Sequence, residues 1–299
     1  MSIKTYFLET RPQFLILSPI LVILGMGMAL YNGTFNVLYF VLSLVGLLFL
    51  HISVNTLNDY SDYKTGIDLK TRLTPFSGGS GFLPTGKLSA SSVLVLGLVS
   101  FFLAVPIGIY LLVVRGLYLL PIFIIGAVFV LAYTGIIARL GFGLSEITAG
   151  LGLGTLPVLG TFLIIHGHFN WQALYASVPS GFLVFNLLLL NEIPDVEADK
   201  VGNRRTLPIV VGTKKAAIVY SFLVGIVYIW IAVGVITKLM PLWTLLAILT
   251  LPFGLKAIKG ALTFNEFEEL IPAQGANIIV VLLTQLLLGV GYILARFLS

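Results

Sequence analysis

Two clusters of acidic and amide residues share one spacing in a chain that otherwise carries few charges. In the first cluster, Asn58 is followed four residues later by Asp62, and in the second, Asn191 is followed at the same interval by Asp195 and Asp199. This interval places side chains on one helix face, where carboxylates repel each other. A divalent cation would remove the repulsion, and Mg²⁺ prefers a few carboxylate oxygens together with phosphate oxygens. The spacing therefore indicates a Mg²⁺–diphosphate site.

The metal ligands that this spacing predicts come from the ends of two helices. Together they supply enough oxygen donors for one or two Mg²⁺ ions, which would neutralise a diphosphate and improve it as a leaving group. Solvated acids at the membrane interface are the alternative, and two matched clusters beside basic loops disfavour it. The predicted ligands are Asn58, Asp62, Asp195 and Asp199, with Asp59 as a further candidate.

Basic residues near the two clusters are candidates for holding the diphosphate, because Arg forms paired hydrogen bonds with phosphate oxygens. A role in topology or contact with anionic lipid is the alternative for each of them. Tyr133 joins the substrate-binding candidates, although its ring could also belong to the interfacial aromatic belt or stabilise a carbocation. The basic candidates are Arg11, Arg72, Arg139, Lys200 and Arg204. His166 and His168 are interpreted as ordinary loop residues at the opposite face.

Membrane-spanning helices must position these residues. The 299 residues are 58% hydrophobic and only 10% charged, whereas a soluble domain is nearer a quarter charged. Apolar runs of about 20 residues, the length that crosses the hydrocarbon core, predict an all-α polytopic membrane protein with nine transmembrane helices. The predicted spans are 12–31, 37–57, 91–112, 117–135, 144–166, 171–190, 214–236, 241–260 and 274–297.

The distribution of charge predicts the side of the membrane on which the site lies. All Lys and Arg residues except Arg115, Lys238 and Arg296 fall on the side of the N-terminus, which the positive-inside rule makes cytoplasmic. All 12 Asp and Glu residues lie on or near the same side. We therefore expect a multi-pass protein of the cell membrane with a cytoplasmic active site. Topology also explains the net charge of +5, so no nucleic-acid partner is expected.

The positions of the two clusters suggest an internal duplication. Each Asn-x-x-x-Asp closes an even-numbered span, the second and the sixth. Two parallel units, 12–143 and 144–273, would place both clusters on one side of the membrane, with 274–297 as an extra helix. Residues 1–299 then form a single transmembrane domain with cytoplasmic cap loops.

The motifs resemble the two aspartate-rich motifs of the UbiA superfamily of intramembrane prenyltransferases. The resemblance covers essentially the whole chain and implies nine transmembrane helices around a central cavity, with cytoplasmic caps and a lateral opening to lipid. It rests on Asn58-Asp59-x-x-Asp62 with Asp68, Asp195-x-x-x-Asp199, Arg11-Pro12, Tyr133-Thr134-Gly135 and Asn203-Arg204-Arg205-Thr206-Leu207-Pro208.

The first motif departs from the common family pattern, Asn-Asp-x-x-Asp-x-x-x-Asp, at its last position. Gly66 stands there, and the acid follows as Asp68. This variant, with the stretch from Ser77 to Gly86, resembles the menaquinone branch, the 1,4-dihydroxy-2-naphthoate polyprenyltransferases and their animal vitamin K relatives. Asp68 is accordingly a candidate catalytic residue that would position the acceptor or help to take a proton.

The resemblance implies Mg²⁺-dependent transfer of a prenyl group from a polyprenyl diphosphate to an aromatic acceptor in the lipid bilayer. Ionisation gives an allylic cation, which the ring attacks while the caps and lipid exclude water. Other acceptors stay open, namely 4-hydroxybenzoate, a geranylgeranylglyceryl phosphate or a tetrapyrrole. A non-catalytic transporter is the alternative of a different class, and the absence of Asp, Glu, Lys or Arg clearly at the midplane disfavours it.

Overall fold

The computed structural model describes residues 2–71, 74, 76 and 78–298, and over these residues its regular structure is entirely helical. Nine of the described helices are long and apolar enough to cross a membrane, which confirms the prediction of an all-α polytopic membrane protein. They are α1 (Pro12–Tyr31), α2 (Val37–Thr65), α3 (Ala90–Arg115), α4 (Leu117–Leu140), α5 (Leu144–His166), α6 (Trp171–Glu192), α7 (Thr213–Ile236), α8 (Leu242–Thr263) and α9 (Phe267–Leu298).

Two helices extend beyond the apolar runs that predicted them. Helix α2 continues to Thr65 rather than ending at residue 57, and α9 begins at Phe267 rather than at residue 274. Hydropathy locates the part of a helix in lipid, but backbone hydrogen bonding carries the helix on into polar sequence. Helix α2 stops at Gly66, whose φ of 82° is the left-handed conformation that commonly ends a helix. The first cluster therefore lies on the last turns of a helix, not in a loop.

The second cluster spans a break between two helices. Helix α6 ends at Glu192, and a short helix, Val196–Val201, follows with Asp195 at its N-cap. Pro194, which lies in the intervening turn, has no N–H to continue the hydrogen bonding of α6. The expectation that Asn191, Asp195 and Asp199 share one continuous helix face is therefore wrong. A second short helix, Leu207–Val211, follows, and the two short helices form a cap between α6 and α7.

Helix α5 packs closely against α6, the helix that leads to the second cluster. A Cβ atom on Gly154 would lie 2.5 Å from the carbonyl oxygen of Ser180, and one on Gly150 would lie 2.7 Å from that of Gly181. Small residues of this kind let two helix backbones approach within a membrane. The buried core beside them draws most of its residues from α1, α5, α6 and α9, among them Leu21, Phe162, Leu183 and Leu288. The proposed duplication of 12–143 and 144–273 stays a prediction.

A π-helical turn interrupts each of two neighbouring helices, Tyr133–Ile137 in α4 and Leu151–Thr155 in α5. Such turns insert one residue into an α-helix and occur frequently at functional sites. Both turns contribute to the wall of the same cavity, through Tyr133 in α4 and through Gly152 and Leu153 in α5.

Candidate active site

A central cavity of about 240 Å³ lies between the helices, as predicted, and its polar lining is concentrated where both clusters begin. The amides of Asn58 and Asn191 line it together with Arg11, Asn55 and Tyr133. Asn58 lies four residues before Asp62, and Asn191 lies four residues before Asp195. The remaining wall is largely apolar.

One guanidinium joins the two acidic clusters. Arg204 donates from Nη1 to Oδ1 of Asp199 at 2.9 Å and forms a second ion pair, through Nη2, with Asp62. Both carboxylates are buried, with exposures of 6% for Asp62 and 2% for Asp199. The backbone holds the arginine in place, because its N–H donates to the carbonyl oxygen of Asp199 at 3.0 Å. The structure thus brings together two predicted ligands from opposite halves of the chain.

Two further carboxyl groups, those of Asp68 and Asp195, lie around this ion-pair network. Burial is the main cause, and repulsion from the nearby Asp59 the second, that raises the pKa of Asp68 to about 7. For Asp195, too, burial is the main cause, followed by repulsion from Asp199, and its pKa rises to about 7. Asp68 lies beyond the end of α2, but the turn at Gly66 folds it back, so its N–H donates to the carbonyl oxygen of Asp62 at 3.3 Å. The site therefore gathers more carboxylates than Arg204 alone can balance.

The donor set fits Mg²⁺, although the carboxylates are not arranged as a finished metal site. Among residues 2–71, 74, 76 and 78–298, no three acidic or histidine side chains converge as a metal-binding group. Arg204 instead lies between Asp62 and Asp199. Carboxylate and amide oxygens are the hard donors that Mg²⁺ uses beside phosphate. The carboxylate of Asp195 accepts no hydrogen bond from the described residues and so keeps its oxygens available.

Asp59 has a different environment from the other predicted ligands. It is fully buried, and its Oδ1 lies 3.4 Å from Nη1 of Arg11. Its Oδ2 accepts a hydrogen bond from the backbone N–H of Ser80 at 2.8 Å, while the hydroxyl of Ser80 donates to Glu9 at 2.6 Å. Asp59 thus ties Ser80 and Arg11, which lie outside α2 in sequence, to that helix. Mg²⁺ would have to compete with these contacts.

The predicted diphosphate-binding residues divide into two groups. Arg204 lies between the clusters, and Arg11 lines the cavity with a buried Nε that has no hydrogen-bond partner among the described residues. Lys200 is exposed and pairs with Glu197 at 2.6 Å. Arg139 is also exposed and forms no ion pair with the described part of the chain. Arg72 lies outside the described residues, and the diphosphate-binding roles of all these residues stay predictions.

Sequence reasoning missed the buried histidine of the cavity wall. His51 lines the cavity from α2 and is 3% exposed, with Nδ1 2.9 Å from the hydroxyl oxygen of Ser18 in α1. The signal was present in the spacing, because His51, Asn55 and Asn58 follow one another at intervals of four and three residues, on the helix face that ends at Asp62.

Comparison with known proteins agrees with this geometry. The UbiA prenyltransferase family matches residues 17–264. The 1,4-dihydroxy-2-naphthoate octaprenyltransferase of Bacillus subtilis is 32% identical over 254 residues, which cover 84% of this chain and 80% of that protein. The protein of the same name from Haemophilus influenzae is 25% identical over 98% and 97% of the two chains. A UbiA homolog from Archaeoglobus fulgidus, solved with DMAPP and Mg²⁺, shares the fold with a TM-score of 0.67 at 15% identity, over 97% and 99%.

Proposed function

Because the chain belongs to the UbiA prenyltransferase family, we propose that this membrane prenyltransferase moves a polyprenyl group from its diphosphate to a dihydroxynaphthoate-like acceptor with the help of Mg²⁺. The observation that carries the proposal is that one guanidinium joins the two acidic clusters, whose first residues, Asn58 and Asn191, line one cavity. The acceptor is suggested by the relatives from B. subtilis and H. influenzae, which are named for 1,4-dihydroxy-2-naphthoate.

The diphosphate head would bind between the clusters. Asn58, Asp62, Asp195 and Asp199 would hold Mg²⁺, which supplies charge neutralisation for the leaving diphosphate. Two features support this assignment: Asp62 and Asp199 already share one cationic group, and the carboxylate of Asp195 keeps its oxygens available. A solved protein of the same fold, the A. fulgidus homolog, is bound to DMAPP and Mg²⁺.

The guanidinium of Arg204 provides donors in the same place. A guanidinium binds phosphate oxygens in pairs, so Arg204 can turn one edge towards the diphosphate while it stays near the carboxylates. Arg11, with its free Nε at the cavity wall, is positioned to approach the same head group. These basic groups stabilise charge that develops on the leaving group.

The prenyl tail would extend away from the clusters into apolar space. A second cavity of about 310 Å³ adjoins the first, and the two share Leu47, Leu50, Gly126 and Gly152 in their walls. Ser43, which lines the second cavity, lies 15 residues before Asn58 on α2, so at a rise of 1.5 Å per residue the apolar space reaches about 22 Å from the polar end. This depth suits a chain of several isoprene units rather than one.

The chemistry then needs placement more than a covalent nucleophile. The bond between C1 of the allyl group and the diphosphate oxygen breaks, and its electron pair leaves with the diphosphate. An electron-rich ring carbon forms a bond to C1, and the proton that this carbon loses passes to the released diphosphate. The tie from Asp59 through Ser80 to Glu9 holds Ser80 against α2, four residues after Phe76, which lines the cavity, and this contact would help to keep water from the cation. Tyr133 presents an aromatic ring to the same space.

The test is an assay of the purified protein in detergent or liposomes with farnesyl diphosphate, Mg²⁺ and a panel of acceptors. The panel contains 1,4-dihydroxy-2-naphthoate, 4-hydroxybenzoate and geranylgeranylglyceryl phosphate, and mass spectrometry identifies the products. We expect a prenylated naphthalene product whose formation stops when EDTA removes Mg²⁺. Transfer to another acceptor alone would overturn the acceptor assignment, and transfer unaffected by EDTA would overturn the role of Mg²⁺.

A further inference from the structure

A histidine and a serine form a buried pair within the membrane-spanning region, at the wall of the central cavity. Nδ1 of His51 on α2 lies 2.9 Å from the hydroxyl oxygen of Ser18 on α1, and both residues are buried. Ionisable side chains inside membrane spans are costly, face the interior of the bundle and commonly mark a functional site. The reaction outlined above gives this pair no role.

The pair lies on the helix face that leads to the first cluster, but deeper in the membrane. His51 precedes Asn58 by two turns of α2, which at 1.5 Å per residue places it about 10 Å from the level of that amide. Both residues line the same cavity. The imidazole is therefore close to the space in which the two substrates must meet, and distant from the carboxylates that would hold the diphosphate.

The two nitrogens of the ring have different surroundings. Nδ1 is engaged by Ser18, which fixes the orientation of the ring. Nε2 has no hydrogen-bond partner among the described residues, and the side chain that carries it lines the cavity. Nε2 is therefore the ring nitrogen that is free to bind a group in the cavity. The neighbouring amides differ, because Asn55 donates to the carbonyl oxygen of Thr10 at 3.1 Å and Asn58 donates to the hydroxyl of Thr134 at 3.2 Å.

Only one of the two substrates offers a group that Nε2 can bind. A prenyl tail is a hydrocarbon without hydrogen-bonding atoms, and the diphosphate would lie about two helical turns away. A phenolic hydroxyl on the aromatic acceptor both donates and accepts, so it can pair with either tautomer of the imidazole. A site that binds a substrate hydroxyl also discriminates strongly against analogues that lack it.

We propose that His51, oriented by Ser18, binds a ring hydroxyl of the aromatic acceptor through Nε2 and so turns the attacking carbon towards C1 of the prenyl group. This inference rests on the proposed transfer to an aromatic acceptor. His51 touches the acceptor, and Ser18 is a positioning residue that acts through the ring. Correct orientation of two bound reactants is a large part of catalysis in a reaction without a protein nucleophile.

Two amide variants separate the functions of the two nitrogens. In His51→Gln the amide nitrogen can occupy the place of Nε2, whereas in His51→Asn it can occupy that of Nδ1 and keep only the contact with Ser18. We expect H51N to raise the KM for the acceptor by roughly tenfold, the upper range for loss of one neutral hydrogen bond, and H51Q to stay near wild type. The KM for farnesyl diphosphate should not change in either variant.

Further variants keep the test decisive. His51→Phe retains an aromatic ring without nitrogens and should match H51N. Ser18→Ala should raise the acceptor KM by a smaller factor, since the ring loses its orientation but keeps Nε2. The Tm of each variant in detergent, compared with wild type, reports folding separately from binding.

The outcomes distinguish this inference from the function on which it rests. If wild type prenylates the acceptor, and H51N and H51F keep its acceptor KM, the inference is overturned and the proposed function stands. The inference is also overturned if H51Q loses acceptor binding while H51N retains it, since the pair is then only a contact between helices. If wild type transfers to no aromatic acceptor, the proposed function fails and the inference fails with it.

Discussion

Asp62 and Asp199, which lie 137 positions apart in the numbering of the chain, bind one and the same guanidinium, that of Arg204. Neither carboxylate is placed by chance, because α2 extends past the apolar run to carry Asp62, and the short helix after α6 carries Asp199. The shared cation offsets repulsion between two buried carboxylates, which would otherwise be costly. The same two carboxylates are our leading candidates for Mg²⁺, so we expect the position of the guanidinium to adjust when the metal and diphosphate bind.

The first prediction concerns the need for Asp199. Asp199→Asn keeps the size and part of the hydrogen bonding of the side chain but removes its charge, and we expect Mg²⁺-dependent transfer to fall by about 10²-fold or more, as for other losses of a preorganised electrostatic group. Glu197→Gln is the matched control, because Glu197 is an exposed acid in the same short helix. Initial rates with farnesyl diphosphate and the acceptor measure both. Near-normal turnover of D199N would contradict the site assignment.

A second prediction follows from the burial of the ion pairs. Arg204→Ala leaves Asp62 and Asp199 without their common partner, and removing one member of a buried pair costs about 3–5 kcal/mol. We expect a clear fall in the Tm of the metal-free protein, part of which Mg²⁺ with inorganic diphosphate restores by replacing the lost positive charge.

The control for this variant is Arg139→Ala, which removes an exposed arginine that forms no ion pair with the described residues. Surface substitutions of this kind change stability by about 0.5 kcal/mol or less. An R204A protein as stable as R139A would show that the ion pairs add nothing to stability. A Tm that Mg²⁺ and diphosphate leave unchanged would count against a metal bound by these carboxylates.

Sequence patterns predict the helices well because twenty consecutive apolar residues have few other stable arrangements. They predict the helix ends poorly, since the end of α2 depends on the left-handed conformation of Gly66 and not on hydropathy. The clusters were visible as spacings, but the shared contact with Arg204 depends on the cap between α6 and α7, whose path no pattern encodes. The spacing of His51, Asn55 and Asn58 could have indicated the histidine, but its partner, Ser18, comes beside it only when α1 packs against α2.

A third prediction uses the buried carboxyl group of Glu9, whose pKa is raised to about 7 by burial and next by Asp59. The folded protein therefore binds the carboxyl proton of Glu9 more tightly than the unfolded chain does, because in the unfolded chain the pKa of Glu9 is near 4.5. Stability falls as the pH rises from about 4.5 to about 7 and is level above that range, because the ionised group is disfavoured only in the folded state. Glu9→Gln, which can still accept the hydrogen bond from Ser80, should remove this contribution.

Thermal unfolding at pH 5 and pH 8 measures the effect of this substitution. We expect E9Q to raise the Tm relative to wild type at pH 8 and to change it little at pH 5. Glu266→Gln, at an exposed position before α9, is the control and should shift neither value. An equal effect of E9Q at the two pH values would mean that Glu9 does not titrate in this range.

The last prediction concerns the side of the membrane on which the site lies. The chain contains no cysteine, so a single introduced cysteine reports its own location without background. Lys215 and Gln172 are exposed near opposite ends of the helical bundle, at the starts of α7 and α6. If the basic side is cytoplasmic, a membrane-impermeant maleimide should label Q172C in intact cells and K215C only after the membrane is opened. Both variants should keep wild-type transfer activity, because neither residue lines the cavity. The reverse labelling pattern would place both acidic clusters, and with them the diphosphate, on the outer side, and the prenyl donor would then have to be supplied from there.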